Sequence, residues 1–168
     1  MTAQRLLLAG VLVITALLLQ STVMTRLPLP GAAPDLLLVL VVAYALADGP
    51  LAGMGVGFSA GLLADALSDH ELGRLALAYV LVGVVAGALQ DDTERSATFP
   101  FVAVAVGAVV GILVFAGMGI LLGDLRVTAG AVLRSLASSV AYDVALTPFV
   151  VPVVAALIRR VDVDPLRR

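Results

Sequence analysis

Residues 49–65 read GPLAGMGVGFSAGLLAD, with a glycine at every fourth position, Gly49, Gly53, Gly57 and Gly61, and a carboxylate, Asp65, at the next. In a helix, residues four apart lie on one face, so these five positions form one slowly turning strip. Small residues at that spacing let another backbone approach closely, a recurrent device of helix packing in membranes. The strip also carries a carboxylate to a depth where charge needs a partner or a use. The stretch therefore predicts a helix packed within a membrane. Two readings of that packing stay open: against another helix of this chain, or against a partner's helix.

The rest of the chain agrees with a membrane as its solvent. Of 168 residues, 61% are hydrophobic and 13% charged, and the mean hydropathy is +1.13. That leaves too little polar surface to cover a water-soluble globule. Each span takes about 20 apolar residues, so the length accommodates about six spans and leaves no room for a soluble catalytic domain. The expectation is an all-α integral membrane protein, a compact bundle of about six transmembrane helices forming one domain over 1–168.

Proline, glycine and charged clusters punctuate the apolar runs and predict helices near 6–24, 36–47, 51–67, 73–89, 99–122 and 129–158. The first run follows Arg5 and leaves through Gln20-Ser21-Thr22; it is long for a signal peptide and lacks a small-x-small cleavage site, so it reads as a retained span. Arg26 to Pro34 holds three prolines and a glycine, which forbid a continuous helix. Pro34-Asp35 is a good helix start, because an early carboxylate complements the positive end of the helix dipole. Asp48-Gly49-Pro50 then allows a tight turn. The second helix is short, about 18 Å at 1.5 Å per residue, against a hydrocarbon core of about 30 Å. It either borrows its flanks or enters without crossing. Pro148 and Pro152 predict a kink in the last helix.

Six crossings put both termini on one side. Arg5, Arg95, Arg159, Arg160, Arg167 and Arg168 then oppose Arg26, Arg74, Arg126 and Arg134, and the excess predicts cytoplasmic termini. Asp65 falls near the outer end of its helix, where it either reaches the headgroup region or pairs internally, with Arg134 as the candidate. Asp143 lies deeper and reads as protonated, hydrogen-bonded or facing a polar cavity. Gly83/Gly87, Gly107/Gly111 and Gly119/Gly123 repeat the four-residue spacing elsewhere.

Chemistry is hard to assemble from this inventory. The chain has no cysteine and one histidine, His70, in a polar connection, which argues against a zinc site or any metal cofactor. Its ten basic residues, all arginine, and its net charge of −2 offer no dense basic patch for nucleic acid. Ser59, Ser68, Ser135, Ser138 and Ser139 lack a G-x-S-x-G setting, and Asp65 with Asp143 lies in no recognisable aspartyl-protease context. No phosphate-cradling glycine loop is present. The expectation is a protein that is not an enzyme and carries no cofactor.

Taken in order, Pro34-Asp35-Leu36, Gly49-Pro50-Leu51-Ala52-Gly53, Gly57-Phe58, Gly61-Leu62, Asp65 and Leu72-Gly73 resemble the MreD family of bacterial rod-shape-determining proteins. The chain length, Gln20-Ser21-Thr22, and Tyr142 followed by Pro148 also fit. Asp143 departs from the resemblance, which implies a neutral asparagine after Tyr142. The resemblance implies a non-enzymatic scaffold in the bacterial cytoplasmic membrane, within the complex that directs cell elongation and lateral peptidoglycan synthesis. It implies MreC as the partner whose transmembrane helix is bound and, through the complex, MreB, RodA and its transpeptidase. Carried over to this sequence, Pro34, Asp35, Asp65, Tyr142 and Asp143 are the motif positions; beside them stand Arg134, a polar intramembrane position read from the topology, and Gly49, Gly53, Gly57 and Gly61, the packing or partner interface read from their spacing. The family also resembles, in helix arrangement, the substrate-binding S-components of energy-coupling-factor transporters. That makes a vitamin-binding subunit the alternative, although the chain has no tryptophan and no asparagine to line such a site.

Overall fold

The segment LLLVLVVAYALAD has no polar face, and in the computed structural model it forms α2 (Leu36–Asp48) with every residue from Leu36 to Ala45 buried. A helix apolar all round belongs in the interior. The structure describes residues 3–26, 28–68, 71–90 and 96–161. Around α2 stand α1 (Ala3–Thr22), α3 (Pro50–Ala66), α4 (Arg74–Ala88), α5 (Phe99–Leu121) and α6 (Ala129–Val161), with a 3₁₀ turn at Met24–Arg26. The central helix touches all five of the others. Among the described residues there is no strand. Asp69, His70, the connection Asp91-Asp92-Thr93-Glu94-Arg95, and the terminal Arg167 and Arg168 lie outside the described residues.

Three helices, α1, α5 and α6, are long and apolar enough to cross a membrane. The other three have 13, 17 and 15 residues, and the shortest, α2, is the one enclosed by protein. Its ends are finished locally. The Asp35 side chain accepts the Leu38 amide at its start, satisfying one of the donors every helix leaves free there. At its far end Gly49 takes φ +87°, a conformation costly for residues with a Cβ, and Pro50 opens α3 at once.

The last helix, α6, runs over 33 residues with Pro148 and Pro152, the positions where the sequence predicts a kink, inside it. Its buried positions include Ser139, Asp143 and Thr147, spaced by four, so one face of this long helix presents polar groups to the interior. Opposite ends of the bundle are tied separately. At one, Arg5 Nη1 donates to Asp48 Oδ1 at 2.6 Å and Gln90 Nε2 to the Leu46 carbonyl at 2.9 Å. At the other, called here the Asp35 end, the loops before α2, α4 and α6 converge.

Candidate functional site: a glycine seam and a polar junction

Glycines of α3 and α4 face each other in antiparallel register. A Cβ on Gly53 would stand 2.6 Å from Ala45 Cβ and 3.0 Å from the Gly83 carbonyl oxygen, and one on Gly57 or Gly61 would run into the backbone of Tyr79 or Ala76. From the other side, Gly83 and Gly87 press on the backbone of Gly53 and on Pro50. The strip is thus covered by this chain's own helix. Gly49 differs: nothing lies within 4 Å of its Cβ position, and its glycine is explained by the turn.

The seam ends on Asp65, which is 1% exposed. Its carboxylate accepts the backbone amides of Gly73 at 2.9 Å, Leu75 at 3.0 Å and Ala76 at 3.2 Å. These are amides at the start of α4, which have no partner inside their own helix, and the negative charge complements that helix terminus. Arg134, the sequence's candidate partner for Asp65, is elsewhere. It sits exposed on α6, its Nε donating to the Gly130 carbonyl at 3.2 Å in the same helix. The expected ion pair is replaced by main-chain donors, and α6 packs mainly on α2 and α5.

A second polar cluster joins four helices at the Asp35 end. Gln20 of α1 donates to the Pro34 carbonyl at 2.9 Å and accepts the Leu36 amide at 2.8 Å. Tyr79 of α4 donates its hydroxyl to the Asp35 carboxylate at 2.8 Å, and the Asp35 amide donates to Asp143 Oδ1 of α6 at 2.7 Å. Asp143 is fully buried and its Oδ2 has no hydrogen-bond partner among the described residues. The loop before α2 is pinned on α6 twice more, by Tyr142 Oη donating to the Pro30 carbonyl at 3.0 Å and by the Ala32 amide donating to Ser138 Oγ at 2.9 Å. Pro34, Asp35, Tyr142 and Asp143 therefore meet at one junction, while Asp65 and Arg134 lie outside it.

Arg74 is the residue that sequence reasoning missed most. It is 2% exposed, donates through Nη1 to Asp124 at 3.0 Å and through Nε to the Phe115 carbonyl at 3.0 Å, and stacks 3.9 Å from the centre of the Phe115 ring. Gly119 leaves room for it, since a Cβ there would strike the guanidinium. In the loop after α5, the Asp124 carboxyl is held below the usual carboxylate range, first by its hydrogen bond from Arg74 and then by the Arg126 amide. The apolar run of α4 hides Arg74 from hydropathy reading. Only its place at the helix start and the later Asp124 hint at it.

Between α4, α5, α6 and the loop before α2 lies a cavity of about 390 Å³, with Asp35, Tyr79, Ser135 and Ser139 among its polar walls and Arg126 among the loop residues bordering it. Elsewhere, between α1 and α3, runs an apolar groove of about 240 Å³ that includes Gly10, Gly55 and Ser59. Among the described residues no group of three His, Cys, Asp or Glu side chains is arranged to hold a metal.

Residues 2–161 match the family model for rod shape-determining protein MreD. The chain belongs to the MreD family. Its six described helices thus serve a membrane protein of the rod-shape system. No curated protein matches the chain, and no solved structure does. The MreD motif order seen in the sequence maps onto two structural tasks, the α3/α4 seam with its Asp65 terminus and the junction built on Pro34-Asp35.

Proposed function

We propose that this MreD-family chain is a non-enzymatic, multi-pass scaffold of the bacterial cytoplasmic membrane, with cytoplasmic termini, which captures the transmembrane helix of a partner such as MreC. Through that partner it biases assembly of the elongation complex that includes MreB, RodA and its transpeptidase. One observation carries the reading. The small residues of the groove between α1 and α3 are open: Gly10 and Gly55 are exposed and have nothing within 4 Å of a Cβ position. Small residues that none of the described helices covers allow the close backbone approach on which helix association in lipid depends.

This reading moves the partner interface away from Gly53, Gly57 and Gly61, whose faces are occupied, and onto the opposite side of the same helix. The experiment is direct because the chain has no cysteine. Gly55→Cys, paired with single cysteines along the MreC transmembrane helix, should crosslink with helical periodicity. Gly55→Leu should leave a folded protein that no longer copurifies with MreC and no longer supports rod shape. Normal copurification and normal rods in Gly55→Leu would refute helix capture at this groove.

A further inference from the structure

The cavity at the Asp35 end has features that packing alone does not require. Asp35 borders it half-buried, and its carboxylate is held by neutral donors only, the Tyr79 hydroxyl and the Leu38 amide. Among the described residues no cationic side chain pairs with it. Arg74, which also lines the cavity, is committed to Asp124 and Phe115. An interior carboxylate without a cation leaves a favourable electrostatic interaction unmade.

Ser139 gives the second, independent observation. It is 7% exposed, lines the same cavity, and its hydroxyl has no hydrogen-bond partner among the described residues. Polar groups in such positions are ordinarily satisfied. Ser135, one turn away on α6, also faces the space. The walls between these groups are apolar, chiefly Ile112, Phe115 and Val132, and exposed Arg126 borders the space from the loop after α5. A volume of about 390 Å³ falls in the range of roughly 300–1,000 Å³ usual for small-molecule sites.

We propose that this cavity binds a small zwitterionic amphiphile carrying a primary ammonium and an anionic group. The ammonium sits on the Asp35 carboxylate and donates to the Ser139 hydroxyl, the apolar body lies along Ile112, Phe115 and Val132, and the anionic group is drawn to Arg126. Recognition uses both charges, since an anion alone would meet Asp35 and a simple cation would pass Arg126. The site is separate from the α1/α3 groove, so it stands or falls independently of helix capture.

The test uses the full chain in nanodiscs of phosphatidylcholine and phosphatidylglycerol, which contain no primary amine. Phosphoethanolamine, lysophosphatidylethanolamine and lysophosphatidylglycerol are added in turn, with thermal unfolding and native mass spectrometry as readouts. Lysophosphatidylethanolamine should raise the unfolding temperature and be retained, while lysophosphatidylglycerol should do neither. A response to lysophosphatidylethanolamine bears out the amphiphile; a response to phosphoethanolamine alone, which has no apolar body, overturns the part of the proposal that rests on Ile112, Phe115 and Val132. Ser139→Leu, which fills the cavity without removing a hydrogen bond, should abolish the response in a folded protein. Asp35→Asn should weaken amine binding about tenfold or more, the scale of one charged hydrogen bond. Arg126→Gln should weaken it less. The proposal is overturned if no probe binds, if lysophosphatidylglycerol acts as well as the amines, or if Ser139→Leu responds like the parent.

Discussion

Gly57 and Gly55 lie two residues apart on α3 and face different worlds. At Gly57 a side chain would enter the backbone of Tyr79 on α4, whereas at Gly55 it would meet open space. Both are the same residue type in the same apolar helix, and a hydropathy profile cannot separate them. Their difference is one of register. Three of the four-spaced glycines, Gly53, Gly57 and Gly61, build the protein itself, and the glycine outside that spacing is the one left for something else.

The contrast breaks most severely at the end of the seam. Asp65→Ala should strip several buried amides of their acceptor at once, a loss of roughly 3 kcal/mol or more at about 1–3 kcal/mol per orphaned group; Asp65→Asn, which keeps an acceptor, should recover part of it in the same denaturant titration. Gly57→Leu should cost about 1–3 kcal/mol or more through overpacking, seen as lower yield of folded protein in detergent. Its counterpart Gly55→Leu should change stability by no more than about 0.5 kcal/mol, so equal destabilisation of the pair would erase the distinction between the two faces. Arg134→Gln should be as mild, because the arginine donates to the Gly130 carbonyl within its own exposed turn; a loss comparable to Asp65→Ala would restore the ion pair that the sequence suggests. The smallest effect belongs to acid. The folded-state pKa of Asp124 is depressed, so its stabilising bond to Arg74 is complete above the ordinary value of 3.8 and lost as pH falls below that value. Thermal unfolding between pH 5 and pH 2.5 should show this small loss in the parent and not in Asp124→Asn.

Much of the architecture was legible because membrane helices announce themselves through apolar runs broken by proline and glycine. Pro34-Asp35 and Asp48-Gly49-Pro50 marked both ends of α2, and the capping aspartate and positive-φ glycine explain why. Partners were less legible than elements. Asp65 reaches amides only eight to eleven residues ahead, next to Leu72-Gly73, but a search for its partner among charged side chains overlooks the backbone. Ser135, Ser139, Asp143 and Thr147 share a four-residue spacing that could have been read as one polar face of α6. Seen singly, they looked like scattered hydroxyls and a stray acid. The way Asp143 meets Asp35 depends on a loop that brings residues 108 positions apart together, and no local pattern carries that.

In the proposed multi-pass arrangement the 17-residue length of α3 has a consequence for the lipids beside it. At 1.5 Å per residue it spans about 25 Å, several ångströms less than a typical hydrocarbon core, while Leu51, Phe58, Leu62 and Leu63 on its surface are exposed. Hydrophobic mismatch of this kind costs fractions of a kcal/mol per ångström and promotes helix association. In that arrangement the bilayer thins along this flank unless the captured helix takes the place of the compressed lipids. Relief of membrane deformation would then add to the contact energy of the groove, making capture sensitive to bilayer thickness as well as to the sequence of the captured helix.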